Sequence, residues 1–147
     1  MKGFKFKLHK VLDVRKIEED IARNELFKAN KKLDEIKEEK NNLSGYQQEI
    51  YDYIRNIENQ SLVEVMQARD YMFLNRQRIA QKDAELKKQL AEKNRCREEY
   101  IERKRKKEVL EKLKEKEFQR YYQETLQREQ KELDDIGQQA GRILGGI

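Results

Sequence analysis

Ile36, Leu43, Ile50 and Ile57 stand seven residues apart, and so do Val65, Met72, Ile79 and Leu86. A seven-residue apolar period holds one stripe on one side of a helix for turn after turn, which is the period of a coiled-coil seam. Upstream of Ile36 the first stripe runs in four–three steps through Ala22, Leu26, Ala29 and Leu33. Downstream it reaches Ile54, with Lys40 and Gln47 at two seam positions. The second stripe continues through Lys93 and Tyr100, with Leu62 and Leu90 expected on its companion positions. Residues 93–107 contribute only Cys96, Tyr100 and Ile101 as apolar side chains. The seam is expected to resume at Val109, Leu110, Leu113, Phe118 and Tyr122 and to end as Leu126, Leu133, Ile136, Ala140, Ile143 and Ile147. At the start, residues 4–8 alternate apolar and basic before Leu8, Val11, Leu12, Ile17 and Ile21 take up helical spacing.

Between the two stripes lies Asn56-Ile57-Glu58-Asn59-Gln60-Ser61-Leu62. Asparagine and serine favour turns and caps because their side chains bond nearby backbone. Ser61 with Glu64 three residues on is a capping box: the hydroxyl takes the Glu64 amide proton and opens a new helix. This stretch is therefore read as the bend of a hairpin. Asn41-Asn42-Leu43-Ser44-Gly45 is a rival bend, ranked second because the same heptad passes through it unbroken and one helical glycine costs only about 1 kcal/mol.

The resulting expectation is an all-α chain: a long two-helix antiparallel coiled-coil hairpin in one domain, its second helix longer than its first. Helix 1 is expected over about 8–57, the bend at about 58–61, helix 2 over about 62–137 and a flexible tail over 138–147, loosened by Gly137, Gly141, Gly145 and Gly146. At 1.5 Å per residue the helices would be about 75 Å and about 114 Å long, so the last stretch of helix 2 overshoots its partner. Numbers of facing residues should add to about 119, which sets Ile36 opposite Asp83 and Tyr46 beside Phe73. Composition agrees: 43% of the 147 residues are charged, 36% are hydrophobic and none is proline, a balance that suits long helices with a narrow seam. Apolar residues at helical spacing argue against disorder.

The same sequence excludes most chemistry. His9 is the only histidine and Cys96 the only cysteine, so no His triad, His-based metal site or internal disulfide can be built. Cys96 has cationic neighbours in Arg95 and Arg97, but a thin coil gives it neither a base nor a pocket. Acidic pairs such as Glu38-Glu39 and Asp134-Asp135 lack calcium-loop spacing. A reducing, cytosolic compartment is expected, with no enzyme activity, no cofactor, no metal and no inserted membrane span.

Two features instead suggest partners. Residues 1–16 carry six Lys or Arg against one Asp, and residues 93–120 carry twelve against seven Glu. The hairpin would bring these basic segments together at its open end, where Arg103-Lys104-Arg105-Lys106-Lys107 would face an acidic partner. Nucleic acid is not expected, because glutamates are interleaved and no aromatic platform accompanies the lysines. At the bend end, Tyr46, Tyr51, Tyr53, Tyr71 and Phe73 are more rings than a two-helix seam can cover. Leu43, Tyr46 and Ile50 with Phe73, Ala80 and Ala84 are expected to form one exposed patch, the mark of a partner site. The regular stripe through Leu126, Leu133 and Ile136 has nothing in the hairpin to cover it and suggests a second protein.

The opening Phe4-Lys5-Phe6-Lys7-Leu8-His9-Lys10-Val11-Leu12-Asp13-Val14-Arg15, followed by Glu18-Glu19, resembles the start of the flagellar export protein FliJ family. Leu110-Glu111-Lys112-Leu113-Lys114-Glu115-Lys116, Tyr121-Tyr122 and Glu132-Leu133-Asp134-Asp135 resemble its closing pattern. The likeness covers the whole chain; Asp134-Asp135 stands where the family usually has Asp-Glu. The resemblance implies a non-enzymatic stalk similar to the gamma subunit of rotary ATP synthases. Such a stalk enters the hexameric flagellar export ATPase, stimulates it, and contacts the cytoplasmic domain of the membrane export gate. On that reading Lys5, Lys7, Lys10, Arg103, Lys104, Arg105, Lys106, Leu126 and Leu133 meet the ATPase ring. Leu43, Tyr46, Ile50, Phe73, Ala80 and Ala84 meet the gate. The protein would be cytoplasmic, peripheral to the inner face of the cell membrane at the flagellar base. Alternatives are an escort chaperone for export substrates or their chaperones, with export chaperones as partners, and the equivalent stalk of a virulence type III secretion system. A basic coiled coil that binds nucleic acid ranks last.

Overall fold

A computed structural model describes residues 3–56 and 61–145. It contains two helices, α1 (His9–Arg55) and α2 (Leu62–Gly145), packed antiparallel with the second longer than the first, and no strand among the described residues. The start of α2 is built as its sequence dictates: the Glu64 amide donates to the Ser61 hydroxyl at 3.3 Å, and Val65 N–H closes the first turn onto the Ser61 carbonyl at 3.2 Å. The expected bend residues 58–60 lie outside the described residues, as does Ile57. The rival bend does not occur: α1 runs straight through 41–45, and Gly45 keeps a helical φ.

The far end of α2 departs from expectation. The helix continues through Gly137 and Gly141 to Gly145 instead of stopping near Gly137. A glycine stop works by taking a left-handed φ, and none of the described glycines does so. Held in a right-handed helix, each glycine costs only about 1 kcal/mol relative to alanine, and no proline stands beyond to force an end. Gly146 and Ile147 lie outside the described residues.

Backbone contacts group into two units: Asp20–Glu102, and Met1–Glu19 with Arg103–Ile147. In the first unit the buried positions of α1 follow the expected seam, with Ala22, Ala29, Leu33 and Ile36 buried and Leu26, Leu43, Ile50 and Ile54 half-buried. Leu33 is 2% exposed, and its burial contributes about 1.5–3 kcal/mol. Facing it, α2 contributes Val65, Met72, Ile79 and Leu86 as anticipated, but the companion positions are Ala68, Asn75, Lys82, Gln89 and Cys96. Leu62 and Leu90, expected there, are 75% and 46% exposed. Counting three residues on from Val65 and Met72 reaches Ala68 and Asn75, so the leucines are simply out of phase with the seam.

The polar companions are satisfied across the helix pair. Asn75 Nδ2 donates to the Leu43 carbonyl at 2.8 Å and to Gln47 Oε1 at 2.9 Å, and Gln89 Nε2 donates to the Ala29 carbonyl at 3.1 Å. Lys40 pairs with Asp83, and Lys82 with Glu39 and Glu85. These bonds also decide the register. Leu43 with Asn75 and Ala29 with Gln89 each add to 118, close to the expected sum of about 119.

In the second unit Leu12 is 1% and Phe6 7% exposed, while Phe4 stacks edge-on against Phe118 at 5.4 Å. Here α2 turns Arg103, Lys107, Leu110, Lys114, Glu117 and Tyr121 inward. The residues expected in that seam, Val109, Leu113, Phe118 and Tyr122, are 65%, 37%, 49% and 55% exposed. On α1 the same shift leaves Ile17 and Ile21 at 59% and 54% exposed. The heptad laid down further along α2 has kept its phase, and charged residues hold the seam positions where the local apolar residues do not match it. Every described residue from 126 to 145 is exposed.

Candidate partner-binding surfaces

The basic segments of the second unit divide into charges used inside the fold and charges left outside. Arg103 Nη1 lies 3.1 Å from Glu18 Oε2, and Arg15 Nη1 lies 3.0 Å from the same oxygen. The hydrogen bond from Arg15, aided by the charges of Arg15 and Arg103, keeps the Glu18 carboxyl below its usual range. Lys107 pairs with Glu19, which is 2% exposed. Arg103, expected to meet a partner, is thus half-buried and engaged. Lys5, Lys7, Lys10, Lys104, Arg105 and Lys106 are exposed, Lys104 lying 4.0 Å from Glu108 on the next turn. Leu126 and Leu133, at 46% and 62% exposure, stand on the stretch of α2 where every described residue is exposed.

In the first unit the expected aromatic patch splits in two. Leu43, Tyr46 and Ile50 line a groove of about 400 Å³ together with Tyr71, Leu74, Asn75 and Arg78. Phe73, Ala80 and Ala84 are exposed on α2 but do not line it. The reason is phase: positions 71, 74, 75 and 78 share one helical face at steps of three and four, whereas 73, 80 and 84 point away from it at 100° per residue. Tyr46 and Phe73 are therefore not neighbours in one patch. Leu74 and Arg78 escaped the sequence reading, although their spacing around Met72 and Asn75 would have located them beside Tyr71.

Cys96 is 4% exposed in a shallow groove with Glu25, Lys28, Gln89, Glu92 and Arg95. Burial pushes its thiol upward, opposed by the Arg95 charge. Its Sγ lies 3.7 Å from Glu92 Oε1, and Arg95 holds the Glu92 carboxyl below its usual range. A thiol kept protonated and covered is inert. His9 is exposed beside Asp13 at 3.3 Å. Among the described residues no cluster of His, Cys, Asp or Glu could hold a metal ion, and no helix is long and apolar enough to cross a membrane.

Comparison with known proteins places the chain in a family. None of the curated proteins compared matches this chain. A solved structure described as a YscO homologue from Chlamydia trachomatis is 20% identical, with 96% of this chain and 97% of that chain covered and a TM-score of 0.47. The family described as "Flagellar FliJ protein" matches residues 4–142. That match takes in the opening basic segment, both helices, the tyrosine-lined groove and the exposed stretch of α2, and by it the chain belongs to the FliJ family.

Proposed function

We propose that the protein is a non-enzymatic stalk of the flagellar type III export apparatus, and that it couples the export ATPase ring to the membrane export gate. Family membership across residues 4–142 carries this reading. The ring end is assigned to the exposed cations Lys5, Lys7, Lys10, Lys104, Arg105 and Lys106, with Leu126 and Leu133 on the exposed stretch of α2. Charges on long, flexible stems give diffuse attraction without rigid locking, which suits a shaft held inside an acidic collar. Arg103, half-buried against Glu18, is left out of this exposed set. The gate end is assigned to the groove lined by Leu43, Tyr46 and Ile50. On this reading the protein works at the inner face of the cell membrane at the flagellar base.

The test is ATP hydrolysis by the purified export ATPase, with and without the protein. Changing Lys104, Arg105 and Lys106 together to glutamate should abolish stimulation while leaving helical content intact, since glutamate is a good helix former. Stimulation by the wild type should also fall with added salt, because exposed charges are screened over about 8 Å at physiological ionic strength. Undiminished stimulation by the triple variant would remove the ring end from the proposal.

A further inference from the structure

Two apolar stripes face outward on this chain, and they match each other. The first lies on α2 beyond Thr125. Leu126, Leu133, Ile136, Ala140 and Ile143 follow one another at steps of seven, three and four, so they share one side of the helix. Leu133 and Ile136 are each 62% exposed. The same period passes through Glu129, the one charged residue of this stripe, which has no ion-pair partner among the described residues.

The second stripe lies on α1. Lys10, Val14, Ile17 and Ile21 each stand two positions from Leu12 or Glu19, which are buried against α2. Two positions are about 200° round a helix, so the four face away from α2. Val14 is 51% and Ile17 59% exposed. Lys10 is exposed and, like Glu129, has no ion-pair partner among the described residues.

Each stripe is thus interrupted by one charge. The two charges are opposite in sign and hold the same place in the period. Lys10, Val14, Ile17 and Ile21 run in steps of four, three and four, as do Glu129, Leu133, Ile136 and Ala140. Laid side by side in the same direction, apolar residues meet apolar residues and Lys10 meets Glu129. The surrounding charge agrees. Residues 5–16 carry five Lys or Arg against Asp13, while residues 124–136 carry five Asp or Glu against Arg128 and Lys131, so the two segments attract. A tail laid on a second tail would instead set acids against acids.

The stripes cannot meet within one chain. Phe4 stacks on Phe118 and Tyr121, and α2 continues past them without a turn. Between two chains they can meet. With Glu129 level with Lys10 of a second copy, Gln123 falls level with that copy's Phe4. The contact between copies would begin just where α2 has left its own Phe4, so the two contacts do not compete for one stretch of helix.

We propose that a second copy of the chain covers both stripes: the end of α2 of each copy lies parallel to α1 of the other, Glu129 on Lys10, Leu133 on Val14 and Ile136 on Ile17. Each copy gives one tail and receives one, so the assembly closes as a twofold dimer. The dimer does not depend on the stalk reading. It covers Lys10 and Leu133, which that reading assigns to the ring, so a paired chain is withheld from the ring.

The experiment follows sedimentation of the full-length protein over a range of concentrations, at low and raised salt, with circular dichroism on every variant. The wild type should pass from monomer to dimer as concentration rises, and salt should shift it back toward monomer. Lys10→Glu and Glu129→Lys should each weaken the dimer by about tenfold or more. The two changes together should restore it, since the exchanged charges pair again. Direction is read by cross-linking. Val14→Cys and Leu133→Cys are placed in separate chains, each with Cys96→Ser, and on oxidation the mixture should join one to the other and neither to itself. A wild type that stays monomeric up to about 1 mM would overturn the proposal and leave the tail to a different partner. So would a double variant as weak as the single ones. Self-cross-linking of the Leu133→Cys chain in place of the mixed product would overturn it in favour of tail on tail.

Discussion

Lys107 and Glu19 form an ion pair inside the helix seam, with the Glu19 side chain 3% and the Lys107 side chain 19% exposed. The pair occupies positions where a simple coiled coil would carry leucines. Desolvating two charges offsets much of their attraction, so such a pair adds little net stability, while removing one partner strands the other. Glu19→Ala should therefore lower the melting temperature by an amount equivalent to about 3 kcal/mol. The double change Glu19→Leu with Lys107→Leu should recover most of that loss. A single variant that melts like wild type would show that the pair is open to water.

Asn75 should act on register more than on stability. Replacing it with leucine removes a buried polar group whose amide is bonded to Leu43 and Gln47 and supplies an apolar seam residue, so thermal stability should rise. The cost is specificity, because a single buried asparagine can fix the register of a coil. Spin labels at Glu39 and Lys82, paired in the wild type, should give one short distance there and a broadened or multiple distribution in Asn75→Leu. One sharp, unchanged distance would show that Gln89 and the ion pairs suffice.

Core and surface side chains should separate in stability measurements. Leu33→Ala should cost about 2–5 kcal/mol, the usual range for a buried leucine, since Leu33 is 2% exposed. Phe73→Ala should change the unfolding free energy from urea titration by about 0.5 kcal/mol at most, since Phe73 is 62% exposed. Equal losses at the two sites would mean that α2 faces α1 with a different side.

Acid should loosen the fold through Glu18 and Glu92. Both carboxyls are held below the ordinary value of 4.5 by hydrogen bonds from Arg15 and Arg95. A depressed carboxyl contributes stability above its unfolded value and loses it as the pH falls through the folded one. The melting temperature should thus drop below about pH 4.5, and Glu18→Gln should flatten that limb. Lys82 works in the opposite sense. Its bonds to Glu39 and Glu85 raise it above 10.5, so its contribution is complete below that value and fades as the pH climbs through the raised one. An acid limb identical in Glu18→Gln and wild type would remove Glu18 from this account.

The seam of α1 from Ala22 to Ile54 was legible because each position repeats a single period in one residue class. The Ser61 cap was legible because its chemistry is local. What the sequence hid was phase on α2. Leu62, Leu90, Val109 and Leu113 look like seam residues by type, yet the seam passes through Asn75, Gln89, Arg103 and Lys107. Polar residues enter it only because a specific carbonyl or carboxylate on α1 receives them, and that is a fact of three dimensions. The same phase sets Phe73, Ala80 and Ala84 apart from the groove lined by Leu43, Tyr46 and Ile50. Arg103 was read as a free charge because Glu18 lies 85 positions away in the chain.

The stretch of α2 beyond Thr125 has a kinetic consequence. A helix with no neighbour along its flank among the described residues is supported by propensity and by its attachment to the helix before it, and isolated helices of this length are marginal in water. Gly137, Gly141 and Gly145 weaken it further toward its end. Its amide protons should therefore trade with solvent deuterium far faster than those around Leu33, with protection fading residue by residue toward Gly145. Anything that grips this stretch must also quench that motion. Capture would begin weakly at the frayed end and strengthen as turns are fixed, which favours quick engagement and quick release over a permanent joint.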